Sequence, residues 1–202
     1  MPSGSCSTWM PIASSTFLHR NAEGRQCHTG CMLRRIASLI VLMALWLAAD
    51  TGAGIKWTAP SNWKAEAERP MRLATYTIPA AAGDSDPAEC GVYYFGPGQG
   101  GSVQANLDRW IGQFQSKEPA KRDQRTVHGL KVTTVDVSGA YSGMGGPMAK
   151  AGQPPKLNYR LLGAIIEGPQ GSVFFKFTGP AKTVAQSQPA FEKLIASIQP
   201  VS

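Results

Sequence analysis

Met32-Leu33-Arg34-Arg35 is followed by a 14-residue apolar stretch, Ile36 to Ala49 (IASLIVLMALWLAA), and then by Asp50. Two arginines, an apolar core and small residues at its end are, in that order, the layout of an export signal. The run is shorter than the roughly 20 residues that cross a bilayer as a helix, so it reads as a leader to be cleaved and not as an anchor. A buried core helix is the competing reading. Cleavage after Ala49 or after Ala53 puts a small residue at the cut. Leu33 and Ala37 depart from a twin-arginine pattern, which leaves the general secretory route and a periplasmic or secreted protein. The apolar run constrains the fold more than any other stretch, because it withdraws all that precedes it from the folded domain. Residues 1–31 show neither a period-2 nor a period-3.6 apolar pattern. They read as a non-native or disordered extension, with Met32 the expected initiator. Residues 32–53 are the expected signal peptide, and residues 54–202 a single α+β domain.

That division changes what the cysteines can do. The chain holds four cysteines and three histidines. Cys6, Cys27, Cys31, His19 and His28 all precede the apolar run, which leaves Cys90 and His128 in the domain. Cys27-x3-Cys31 with His28 has a spacing that invites a metal, but it leaves with the extension. One cysteine makes no internal disulfide and one histidine no ordinary zinc site, so neither a metal nor another cofactor is expected. No cysteine follows the apolar run closely enough to carry a lipid, and after cleavage no transmembrane segment remains.

The remaining 149 residues carry 10 Lys and 6 Arg against 11 acidic residues, a net charge of +5. A chain of that length buries roughly 68–70% of its unfolded surface and needs no staple. Its 18 Gly and 13 Pro predict many turns between short elements. Met71 to Ile78 alternates Arg72, Ala74, Tyr76 and Ile78 against Leu73, Thr75 and Thr77, and stops at Pro79, as a strand does. Cys90 to Phe95, Leu130 to Tyr141, Tyr159 to Ile166 and Ser172 to Thr178 are rich in β-branched and aromatic residues. A short strand is expected at Ile55 to Thr58. Thr133, Val135, Val137 and Tyr141 share one face, as do Val173, Phe175 and Phe177. The stretch Glu167 to Gly171 has the length and glycines of a hairpin loop. Ser102 caps an expected helix whose stripe is Val103, Leu107, Trp110, Ile111 and Phe114. Phe191, Leu194, Ile195 and Ile198 form a second stripe, with Pro189 placed where a first helical turn accepts proline. Strands in a run with two one-sided helices read as α+β: an antiparallel sheet flanked by two helices.

The order of elements, the Trp57-x5-Trp63 opening, the segment Phe174-Phe175-Lys176-Phe177-Thr178-Gly179-Pro180 and the final helix resemble the PsbP-like family. The resemblance spans most of residues 54–202. It implies an α/β/α sandwich, a fold shared with a eukaryotic nuclear-import factor, and an accessory, assembly or interaction role in place of catalysis. No positions match the metal-contacting residues of the photosystem members, so none are carried over.

Candidate chemistry is sparse. Gly96-Pro97-Gly98-Gln99-Gly100-Gly101-Ser102 joins a strand to a helix, so its free N–H groups could hold an anion. It lacks the Lys-Ser/Thr of a P-loop, and the bland reading is a turn with a serine cap. Gly143 to Pro147 reads the same way. Asn106, Arg109 and Gln113 form a polar row beside the apolar stripe and could bind a ligand or peptide at the sheet edge. An ordinary solvated face is the alternative. The candidate ligand-binding residues are therefore Asn106, Arg109, Gln113, Gly98, Gly100 and Ser102.

Residues 115–131 carry five bases (Lys117, Lys121, Arg122, Arg125, Lys131) against Glu118 and Asp123. That charge could meet anionic lipid or an acidic partner, although a solvated loop and hairpin is the simpler reading. Export and the lack of interleaved aromatics argue against nucleic acid. Cys90 reads as a small core residue. No catalytic residues are assigned, since one histidine builds no Ser/His/Asp constellation and no Gly-x-Ser-x-Gly elbow is present. The reading is a non-catalytic binding or accessory protein whose partner is another protein or a small ligand in the cell envelope. The alternatives are an enzyme using a sheet-edge pocket with Arg109 and His128, or a small-ligand carrier with an apolar cavity between sheet and helix.

Overall fold

A computed structural model of the chain describes residues 49–115, 119–143 and 154–201. The expected export signal up to residue 48, residues 1–31 and the glycine segment beyond Gly143 lie outside them. In chain order the elements are β1 (Ala49–Gly52), β2 (Ile55–Thr58), β3 (Lys64–Ala65), β4 (Arg72–Ile78), β5 (Ala88–Tyr94), α1 (Val103–Ile111), β6 (Phe114–Gln115), β7 (Lys121–Val127), β8 (Leu130–Tyr141), β9 (Lys156–Gly168), β10 (Gly171–Pro180), α2 (Ala181–Ala196) and β11 (Gln199–Pro200). The large sheet runs β3-β4-β5-β10-β9-β8-β6, with β7 also paired to β8. Every pairing in it is antiparallel. Among the described residues the protein is thus a mixed α+β structure with two helices and an antiparallel sheet.

Alternation along β10 shows how the helices are placed. Val173, Phe175 and Phe177 are each 0% exposed and pack with Val184, Phe191, Leu194 and Ile195 of α2. Phe174 points to the other side and packs with Leu107 and Trp110 of α1, together with Val135, Val137, Leu161 and Ile165. Each such side chain contributes about 1.5–3 kcal/mol on full burial. Gly163, on β9, lets α1 approach: a Cβ there would lie 2.4 Å from the Trp110 ring and 2.8 Å from Val135. β9 and β10 turn through Pro169-Gln170, with Gly168 opposite Gly171.

Three details differ from the sequence expectation. α1 stops at Ile111 with Gly112 as its cap, so Phe114 of the expected stripe sits in β6 instead. Phe114 stays buried, its ring packed at a tilt 5.0 Å from that of Tyr141. α2 begins eight residues before Pro189, directly after Pro180, and carries Pro189 in its interior. Pro189 is exposed, so the backbone carbonyl it leaves unbonded can turn to water. Finally, the pairing of β4 with β5 shifts register between Arg72 and Ala74. Leu73 is the extra residue, and Arg72 is thereby moved off the face of Tyr76 and Ile78.

A second, three-stranded sheet of order β1-β2-β11 adjoins the α2 side of the core. Trp57 of β2 meets Phe175 edge-on at 5.4 Å. Its Nε1 donates to the Tyr76 hydroxyl, which in turn donates to Asp50 of β1. Burial, and then the Asp50 hydrogen bond, push the Tyr76 hydroxyl well above its ordinary pKa. β1 lies N-terminal to residue 54, where the domain was expected to begin. Among the described residues no helix is long and apolar enough to cross a membrane.

Candidate ligand-binding cleft

α1 covers its face of the sheet over β8, β9 and the Phe174 region of β10. Beside it, β4, β5 and the end of β10 stay open to a cleft of about 540 Å³. That volume lies within the range of about 300–1,000 Å³ common for small-molecule sites. β10 supplies Phe174, Lys176 and Thr178, spaced two apart on one face; β5 supplies Glu89 and Tyr93 by the same rule. β4 supplies Arg72, which reaches the cleft only because of the bulge at Leu73. Asn106, Arg109 and Trp110 of α1, with Gln113 just beyond it, form the opposite wall, and Tyr141 of β8 closes one side.

The charges are unequally satisfied. Glu89 is held by Arg72 at 2.7 Å and by Arg69 at 3.2 Å. Arg72 also lies over the Tyr93 ring, 4.9 Å from its centre. Lys176 donates one hydrogen bond, to Gln113 Oε1 at 2.7 Å, and sits 5.7 Å from the centre of the Tyr141 ring. Among the described residues it forms no ion pair. Burial lowers the pKa of this ammonium to about 8; Glu89 opposes the shift, and the positive charges of Arg72 and Arg109 add to it. Burial also raises the hydroxyls of Tyr93 and Tyr141. The Thr178 hydroxyl is buried with no hydrogen-bond partner among the described residues. One wall of the cleft is aromatic: Tyr93 stacks on Phe95 at 6.4 Å, and Phe95 meets Phe174 edge-on at 5.6 Å.

Of the residues singled out from sequence, Asn106, Arg109 and Gln113 line this cleft, and Gly98, Gly100 and Ser102 do not. Asn106 is 2% exposed, and its amide donates to the Gly100 and Ser102 carbonyls, tying the glycine loop to α1. Ser102 accepts from the Ala105 N–H as a helix cap, and Gly98 and Gly100 adopt the positive φ that favours glycine. Gln113 is 5% exposed because it follows the end of α1 and turns inward; a continued helix would have left it in the polar row.

His128 lies elsewhere, in the turn between β7 and β8, where its Nδ1 is 2.8 Å from the Ile198 carbonyl oxygen. It is not among the residues lining the Arg109 cleft. Cys90 is fully buried, and burial pushes its thiol up. Among the described residues no cluster of His, Cys, Asp and Glu suits a metal. Sequence reasoning missed Lys176, Arg72, Tyr93 and Tyr141. For Lys176 a signal existed, since a lone ammonium inside Val173-Phe174-Phe175-Lys176-Phe177 breaks a continuous apolar run. A larger hollow of about 770 Å³ adjoins β8 and β9. Its central charges satisfy each other, Arg160 holding Asp136 through two bonds of 2.8 and 2.7 Å.

No family profile matches the chain, and no curated protein does. Among solved structures it is similar to PA94 from Pseudomonas aeruginosa, a protein of unknown function, with 15% identity over 73% of this chain and 92% of that one, and a TM-score of 0.45. It is also similar to LpqN of Mycobacterium tuberculosis, described as involved in cell envelope biogenesis: 12% identity, 73% and 83% coverage, TM-score 0.48. A third is the cyanobacterial PsbP of Synechocystis, at 12% identity, 76% and 90% coverage and a TM-score of 0.46. Likeness at this level leaves ligand, partner and location to be argued from the chain's own residues.

Proposed function

We propose that this is an exported, non-catalytic binding protein of the cell envelope, built as an α/β/α sandwich, that holds its ligand in the cleft beside α1. The observation that carries this reading is Lys176, a largely buried ammonium with no carboxylate partner among the described residues, opening on an aromatic wall. A buried charge without a counter-charge is costly, and a bound anion removes the cost. The packing of α1 and α2 on alternate side chains of β10 supports the sandwich. The arginines and apolar run before Asp50 support export to the periplasm or medium.

A binding role is favoured over catalysis by the cleft's chemistry. Its one carboxylate among the described residues, Glu89, is engaged by two arginines, and His128, needed by the enzyme alternative, lines a different part of the molecule. The carrier reading draws support from the aromatic wall, which gives a small ligand apolar surface to cover. Cell fractionation followed by affinity capture from the envelope fraction tests the proposal, comparing wild type with Arg109→Glu. The reading requires recovery outside the cytoplasm and a small molecule or protein retained by wild type but lost from the variant. Identical retention by both removes the cleft from the function.

A further inference from the structure

Resting on the binding reading above, we propose that the cleft takes a small monocarboxylate with an aromatic body, its carboxylate meeting the Lys176 ammonium and its ring lying along Tyr93 and Phe95. Lys176 spends one of its three donors on Gln113 and has no other hydrogen-bond or ion-pair partner among the described residues. An ammonium with two donors unspent, opening on the cleft, is what a carboxylate's oxygens satisfy. Glu89 shares the cleft, so one negative charge is accommodated better than the roughly −1.5 to −2 of a phosphate monoester. Tyr93 and Phe95, stacked on each other, leave ring surface open to the cleft, and ring pairs in offset or edge-on geometry add to the apolar burial of a planar ligand. A cationic ligand is disfavoured by Arg72, Arg109 and Lys176 together.

Titration calorimetry with 2-naphthoate, its neutral isostere 2-naphthamide and a hexapeptide ending in a free phenylalanine carboxylate tests the assignment on the chain that begins at Asp50. The expected result is naphthoate binding at least about tenfold tighter than naphthamide, with that advantage lost in Lys176→Met. Because Lys176→Met also strips Gln113 of its partner, Gln113→Glu provides a second variant. It places a carboxylate beside Lys176, and is expected to block naphthoate while the melting temperature stays level or rises. Naphthoate affinity is also expected to fall as pH rises above about 8, where the ammonium loses its proton. The charged and titratable groups facing it are Glu89 and Tyr93 on β5, Arg72 on β4, Arg109 on α1 and Tyr141 on β8. Equal affinity for acid and amide, no binding of naphthoate, or full affinity in a folded Gln113→Glu would each overturn the assignment. So would tighter binding of the peptide, which gives the cleft to chain termini. None of these results touches the broader binding reading, which stands or falls on the Arg109→Glu capture.

Discussion

Lys176 interrupts the apolar run Val173-Phe174-Phe175 and Phe177 of β10, and its position has a thermodynamic signature. Below about pH 8 the ammonium is charged in the folded and the unfolded chain alike, so its desolvation penalty is present in full. Between about 8 and the ordinary 10.5 the folded chain gives up the proton first. The unfolded chain then binds more protons, so stability rises with pH, by an amount on the order of 3 kcal/mol for a shift of this size. Urea unfolding across that range should show the rise in wild type and not in Lys176→Met; parallel pH profiles for the two would disprove it. At Gly163 the constraint is steric. An added methyl overlaps the Trp110 ring and Val135, so Gly163→Ala should destabilise by about 1–3 kcal/mol through overpacking. Chemical denaturation that finds the variant as stable as wild type would mean that α1 can retreat at no cost. The charge of Lys176 was visible in sequence as a flaw in an apolar run. Gly163 was not, because nothing local says which glycine faces a tryptophan 53 residues earlier.

Among elements, β1 bears most directly on processing. It pairs with β2, and Asp50 accepts the hydrogen bond of the buried Tyr76 hydroxyl. Cleavage after Ala53 would remove this strand, and cleavage after Ala49 would keep Asp50 to Gly52. With the proposed export, N-terminal sequencing of the protein recovered outside the cytoplasm should therefore read Asp50; a chain starting at Gly54 would show that the domain holds without β1. Tyr76→Phe isolates the same contact. It leaves the Asp50 carboxylate and the Trp57 N–H without their partner, and should cost about 1–3 kcal/mol by differential scanning calorimetry. The bulge in β4 shows why site residues can escape pattern reading. Strict alternation puts Arg72 with Tyr76 and Ile78, but one inserted residue flips it into the cleft beside Glu89. A bulge is set by pairing with β5, so the β4 sequence alone cannot announce it.

For the molecule as a whole, Cys90 is a built-in reporter. It is fully buried between β4 and β10, and no other cysteine follows it in the chain. In the chain beginning at Asp50 the thiol should react with a disulfide reagent at least about 1,000-fold more slowly than after unfolding in urea, since it becomes accessible only when the domain opens. Fast labelling under native conditions would mean that β5 frays by itself. The strands β2, β4, β5, β8, β9 and β10 and most of the two amphipathic stripes were written in local periodicity, because burial repeats every two residues in a strand and about every 3.6 in a helix, whereas β7 read as a solvated loop and hairpin. Two-residue strands such as β3 and β6, the end of α1 before Gln113, and the start of α2 after Pro180 depend on contacts made by distant residues. The cleft belongs wholly to that second class. Its cation comes from β10, its arginine from a bulge in β4, and its far wall from a helix packed over a glycine in β9. Periodicity in the sequence determined which side chains are buried. Only the tertiary structure decided which buried charge would be left without a partner, because partners across a sheet are chosen by register and not by proximity along the chain.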